Sequence, residues 1–192
     1  IIASDRKRWN DAIAAARGGQ RILIATSIGG DLPAVSLEGT LAAALTLRGA
    51  DVHFLLCDAL LPACHACNKA QYLNDKTFVK NGPSKDHCTN CFKPGERSYR
   101  AFQLPVHRYG DFVSGEDIQR AETTSSGLCF SDIASYSEDG ISIGEHALAG
   151  ALRYFGLGNL DDEEYAEPVL RRYLHAALLT AYAVRNLLKE FE

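Results

Sequence analysis

The sequence predicts an α/β fold, a parallel sheet with flanking helices and a small inserted lobe. Three observations carry that expectation. Strand, glycine turn, helix and strand patterns follow one another over residues 20–58, a polar stretch with paired cysteines occupies 61–100, and helical spacing dominates beyond 143. The composition agrees: 46% hydrophobic and 23% charged residues among 192 suit a globular chain with a core. A net charge of −4 offers no basic footprint for nucleic acid. No apolar run reaches the ~20 residues of a bilayer-spanning helix, so no membrane span is expected.

Taken in order, Trp9, Ala12, Ile13 and Ala16 keep amphipathic helical spacing, and Gly18-Gly19 ends it. Residues 1–9 lack the basic start and apolar run of a secretory leader. Arg21-Ile22-Leu23-Ile24-Ala25-Thr26 reads as a strand covered on both faces. After Ser27-Ile28-Gly29-Gly30, Asp31 can cap a helix whose first turn accepts Pro33. That helix carries Ala34, Leu37, Leu41, Ala44 and Leu45 and stops at Arg48-Gly49. Residues 51–57 supply a second buried strand, which completes a βαβ unit and a Rossmann-like sheet.

Apolar periodicity fades over 61–100, where Asn, Lys, Gly and Pro accumulate. Such a stretch buries too little apolar surface to offset its ordering entropy, so a bound metal is expected to hold it. Cys64-x2-Cys67 and Cys88-x2-Cys91 have the double-knuckle spacing of a tetrathiolate site. Zinc is the expected ion, in a structural role because four thiolates leave no open position. An iron–sulfur cluster is the alternative. Cys57 is either a small buried residue at a strand end or a fifth ligand, and Cys129 reads as packing. His65 and His87, beside the metal cysteines, could each replace one of them.

Farther on, residues 104–107 suggest a third strand and 114–122 a capped helix. A Ser-rich loop is expected over 123–139, then a helix over 143–155 ended by Gly156-Leu157-Gly158. Residues 165–191 form one long helix pattern without a stop signal. With no Met in the sequence, this leads to the expectation that the polypeptide continues past Glu192. The predicted domains are therefore 1–60 with 101–192, and a metal-binding lobe at 61–100.

Ligands of doubly wound sheets bind at the carboxyl ends of strands, beside the first helix. Ser27, Gly29 and Gly30 occupy that place and are the candidate substrate-binding loop, although a plain tight turn explains them equally. Neither GxGxxG nor a Walker loop is present. Asp31 is a candidate general base as well as a cap. His146 is a second catalytic candidate, with His107 beside it, and Arg153 at a helix end is a candidate anion ligand.

Residues 21–30, the helix through Leu41 and Leu47, and the phrase Arg48-Gly49-Ala50-Asp51-Val52-His53-Phe54-Leu55 together resemble the opening of a GT-B glycosyltransferase. The stretch 57–64 and Arg153-Tyr154-Phe155 are similar to proteins of this type in bacterial surface-polysaccharide biosynthesis. The resemblance implies the N-terminal, acceptor-side half of a cytoplasmic enzyme that uses a nucleotide-sugar donor and a glycan acceptor. It implies donor binding by a C-terminal domain beyond residue 192, and transfer without a catalytic metal. Two other readings stand beside it. One is a non-catalytic Rossmann-like module whose zinc lobe docks a protein, and the other is an iron–sulfur redox protein.

Overall fold

The structure, a computed structural model, describes residues 5–72 and 74–191. Residues 1–4, part of the stretch read for a leader, and the terminal Glu192 lie outside the described residues. Three parallel strands form the sheet in the order β1-β2-β3: β1 (Arg21–Thr26), β2 (Asp51–Leu56) and β3 (Val106–Arg108). β1 pairs with β2 from Arg21↔Asp51 to Thr26↔Leu56, and β2 pairs with β3 from Phe54↔Val106 to Leu56↔Arg108.

Strand alternation sorts the side chains into two layers. Ile22, Ile24, Val52, Phe54 and Leu56 face a cluster with Trp9 and Ala16's helix α1 (Arg6–Ala16), with Val35 and Ala42 of α2 (Leu32–Thr46), and with Tyr99 of α4 (Lys85–Arg100). Leu23, Leu55 and Cys57 face the opposite layer, built on α8 (Ala166–Lys189) and α7 (Ile143–Phe155). α8 buries Val169, Leu170, Leu174, Leu178, Leu179 and Leu187 and is the spine of that layer.

α2 starts as its sequence predicts, with the Asp31 carboxylate accepting from Ala34 N at 2.9 Å and Pro33 in the first turn. Its buried positions are Val35, Gly39, Ala42 and Thr46, while Leu37 and Leu41 point to solvent. α7 ends at Gly156 with φ +72°, the left-handed conformation that suits glycine. β3 begins at Val106 rather than at Leu104. Pro105 has no N–H to give, and its carbonyl accepts from Phe54 N at 2.9 Å.

The expected loop at 123–139 is partly helical. α5 (Gly115–Gly127) opens with a reciprocal Ser114–Asp117 capping box and runs five residues beyond the expected stop at 122, and α6 (Phe130–Ile133) follows. Hydroxyls of Ser125 and Ser126 donate to Glu122 O, and Arg171 of α8 donates to the carbonyls of Ser125 and Ser126. Those partners satisfy the helix end that a polar sequence does not advertise.

Residues 61–100 share the two cores. Leu61, Ala63, Cys67 and Phe78, the last from α3 (Asp75–Asn81), join the layer on α8, and Tyr99 joins the layer on α2. α4 lies against the sheet because Gly95 meets Gly29: a Cβ on Gly95 would stand 2.6 Å from Gly29 Cα. Among the described residues no helix is long and apolar enough to cross a membrane.

On the α8 side of the sheet, His53 Nδ1 and His107 Nε2 lie 2.8 Å apart with their rings stacked. Burial holds both imidazoles below their ordinary value, with Asp51 partly opposing this at His53. Unfolded histidines take up protons as pH falls through about 6.5, whereas the folded pair resists. Stability is therefore expected to fall as pH drops below that point. Urea midpoints measured between pH 7.5 and 5.5 check this, and His107→Phe should flatten the slope. An unchanged slope would contradict the assignment.

Candidate metal centre and adjoining cleft

The carboxyl ends of the strands carry the chemistry. Ser27 follows β1, and Cys57 extends the ladder of β2 by donating its N–H to Thr26 O at 3.1 Å. α4 begins at this edge, where Ser84 Oγ caps it by accepting from His87 N at 3.1 Å. Cys88 and Cys91 are three residues apart on α4 and so share one helix face. Cys91 Sγ accepts from Gly30 N at 3.3 Å and lies 3.9 Å from Ser27 O.

The other cysteine pair sits in a tight turn, where Cys67 N donates to Cys64 O at 3.1 Å and the two sulfurs are 3.7 Å apart. Two residues hold this turn from the helices. Arg153 Nη2 donates to Cys64 O at 2.9 Å and to the Tyr173 hydroxyl at 3.2 Å. The Tyr173 hydroxyl lies 3.2 Å from Cys64 O and 3.4 Å from Cys67 O.

Burial pushes the Cys57 thiol up, and burial followed by the neighbouring thiols pushes Cys88 up to about 11. Within the close pair, the shared hydrogen bond raises Cys64 and lowers Cys67. The thiolate forms of Cys57, Cys64 and Cys88 are thus disfavoured by the protein alone, whereas that of Cys67 is favoured by its partner's hydrogen bond. One further atom fits a thiophilic cation. His87 Nε2 is buried without a hydrogen-bond partner, and His87 lines the same small cavity as Cys57, Cys64, Cys88 and Cys91. Among the described residues no three His, Cys, Asp or Glu side chains are placed to hold a metal ion together.

Beside the thiols opens a cleft of about 1070 Å³. α7 and α8 form one wall, with Ala149, Ala176, Ala177, Ala181, Val184 and Leu188, and the 61–65 segment with Ser27 forms the other. Ser27, Leu61 and Cys64 line both cavities, so the two adjoin there, and Cys64 is the cysteine that reaches the cleft.

The sequence-predicted residues divide accordingly. Ser27, His146 and Arg153 line the cleft. His146 is exposed on α7, whereas the Arg153 guanidinium is engaged with the 64–67 turn. Asp31 does not line it, and its carboxylate takes the capping role on α2, one of the two roles its sequence position offers. Gly29 and Gly30 do not line it either. A Cβ on Gly29 would meet Gly95 Cα at 3.2 Å and one on Gly30 would meet Cys91 Cα at 2.9 Å, so the absent side chains make room for α4. His107 lies in β3 against His53, away from both cavities. Of the four expected ligands, Cys64, Cys88 and Cys91 line the small cavity, and Cys67 is wholly buried beside it. Sequence reasoning missed Tyr173, whose helical spacing reads as plain core.

Comparison with protein-family models, with curated proteins and with solved structures found no match to this chain.

Proposed function

We propose that this chain is the acceptor-side domain of a nucleotide-sugar-dependent glycosyltransferase of surface-polysaccharide biosynthesis, acting in the cytoplasm, with a thiol-bound zinc bracing its sheet edge. The observation that carries the reading is the cleft. Ser27 and His146 come from distant parts of the sequence and line one opening at the carboxyl end of β1, where ligands of parallel sheets bind. Its largely apolar walls suit the apolar portion of a glycan acceptor, and Ser27 Oγ is available to orient a hydroxyl.

In this reading His146 takes the proton of the acceptor hydroxyl as its oxygen bonds to the sugar's anomeric carbon. The bond from that carbon to the nucleoside diphosphate breaks, and the diphosphate leaves with the electron pair. Arg153 and Tyr173 act as positioning residues, because they fix the 64–67 turn that forms the opposite wall. Cys64, Cys88 and Cys91 with a fourth donor would hold zinc, which supplies rigidity here and no chemistry on the sugar. Grip on the donor nucleotide falls to a further domain.

Release of nucleoside diphosphate from a panel of nucleotide sugars, with the natural polypeptide and a glycan-lipid extract, tests the reading. His146→Ala is expected to lower kcat by about 10²–10⁴-fold. Its unfolding midpoint should not move, since the side chain is exposed. Undiminished turnover would remove His146 from the reaction, and no release with any nucleotide sugar would overturn the transferase reading.

A further inference from the structure

We infer that Cys64 and Cys67 form a reversible disulfide, so that the turn beside the large cleft is a redox site for small disulfides and thiols. The inference goes beyond the transferase reading and needs no bound metal. It starts from the two sulfurs, which are 3.7 Å apart. The backbone between them suits the bond. Cys67 N donates to Cys64 O at 3.1 Å, which closes a tight turn. Such a turn keeps its end Cα atoms within about 7 Å, and a disulfide spans about 4.4–6.8 Å between Cα atoms. The sulfurs can therefore close their gap by side-chain rotation, with little movement of the chain.

The anchors of the turn are indifferent to the state of the sulfurs. Arg153 Nη2 donates to Cys64 O at 2.9 Å, and the Tyr173 hydroxyl lies 3.2 Å from Cys64 O and 3.4 Å from Cys67 O. All three contacts are to carbonyl oxygens, so they persist whether the thiols are free or joined. The apolar layer around Cys67 also accepts the uncharged product bond, since no charge is buried with it.

Exposure divides the work between the pair. Cys64 is half-buried and lines the cleft, whereas Cys67 is wholly buried in the layer on α8. A small disulfide entering by the cleft thus meets Cys64. The Cys64 thiolate attacks one of its sulfurs, a mixed disulfide forms, and one small thiolate leaves with the electron pair. Cys67 then gives its proton to solvent and attacks the Cys64 sulfur, which expels the second small thiolate. Both leaving thiolates take up protons. Two protein thiols are oxidised, one small disulfide is reduced to two thiols, and excess small thiol reverses the sequence. The state of the pair thereby sets the freedom of one wall of the cleft. On the zinc reading, joining Cys64 to Cys67 also takes a donor from the ion.

Equilibration of the natural polypeptide with reduced and oxidised glutathione, from reducing to oxidising ratios, tests this by alkylation and mass mapping. The wild type should lose the alkylatable thiols of Cys64 and Cys67 together, and excess reduced glutathione should restore both. Exposed Cys129 serves as the control for simple adducts. Cys67→Ala should retain one glutathione on Cys64, and Cys64→Ala should carry none on Cys67. A chromophoric chelator in the same titration separates this inference from the zinc reading. One zinc released per disulfide supports both, while a disulfide in protein that carries no zinc supports the redox pair and removes the zinc. Cys64 and Cys67 both alkylatable at the oxidising end, with zinc or without it, would overturn the inference. So would a bond from Cys64 to Cys57 or Cys88, and an adduct on Cys67 in Cys64→Ala would overturn the order of attack.

Discussion

On the proposed zinc reading, replacing Cys88 and Cys91 together with Ser is expected to strip the ion and lower stability by about 4 kcal/mol, the linkage term for a ligand at a thousandfold excess over its Kd. The reason lies in what these two residues connect. They sit in the opening turns of α4, opposite the end of β2 and the 64–67 turn. With the ion gone, only the thiols of Cys57, Cys64 and Cys67 remain there, and no bound ion draws the three elements together. The damage should stay local. The later part of α4 keeps its own anchors: Tyr99 is fully buried, its hydroxyl bonds Glu38, and Gly95 rests on Gly29. Hydrogen exchange should therefore quicken over residues 61–91 while β1, α2 and β2 stay protected. Unchanged exchange over 61–91, with unchanged unfolding, would show that the thiols bear no structural load.

Tyr173→Ala should be the most damaging single substitution near the cleft, at about 3–5 kcal/mol for the lost ring. The ring is packed against Gly150 of α7, where the absent side chain lets the two helices approach. It also lies near Phe78 and Tyr154 in the same layer. The hydroxyl joins Arg153 at the carbonyls of the cysteine turn, so truncation opens a cavity and loosens that turn at once. Tyr173→Phe separates the two effects. Packing survives, and the loss should be about 1–2 kcal/mol from the hydrogen bonds alone. A chelator should also extract the ion faster from Tyr173→Phe than from the wild type. Unfolding midpoints and metal-release kinetics together decide this, and equal release rates would mean that the turn is held without Tyr173.

Where local rules act alone, the elements were legible in the residues. β1, α2 and β2 follow from apolar runs bounded by Asp31 and Arg48-Gly49, and α7 and α8 follow from helical spacing, with Gly156 in the left-handed region. α4 was hidden by Pro94-Gly95, a pair that reads as a break, yet Pro94 lies inside the helix and Gly95 is where it touches Gly29. The end of α5 was hidden because its carbonyls are satisfied from α8 by Arg171, 45 and 46 positions away.

The site shows the same division. Paired cysteines announce thiolate chemistry by spacing alone, but spacing carries no information on which sulfur faces which cavity. Cys57 follows the apolar run Phe54-Leu55-Leu56 and looks like core, until the parallel register with β1 puts it at the edge beside Ser27. Gly29-Gly30 looked like a ligand loop because close approach to a phosphate and close approach to a helix ask the same thing of a residue. The approach of α4 to Gly29 and Gly30 is the part of this that the sequence could not show.

The account turns on the proposed thiolate-bound zinc beside the cleft at the carboxyl edge of the sheet. Zinc-edge X-ray absorption of the natural polypeptide, as isolated from cells, tests this most directly. It should show a shell of four sulfurs at about 2.3 Å. A shell dominated by nitrogen or oxygen, or a protein that carries no zinc, would contradict it.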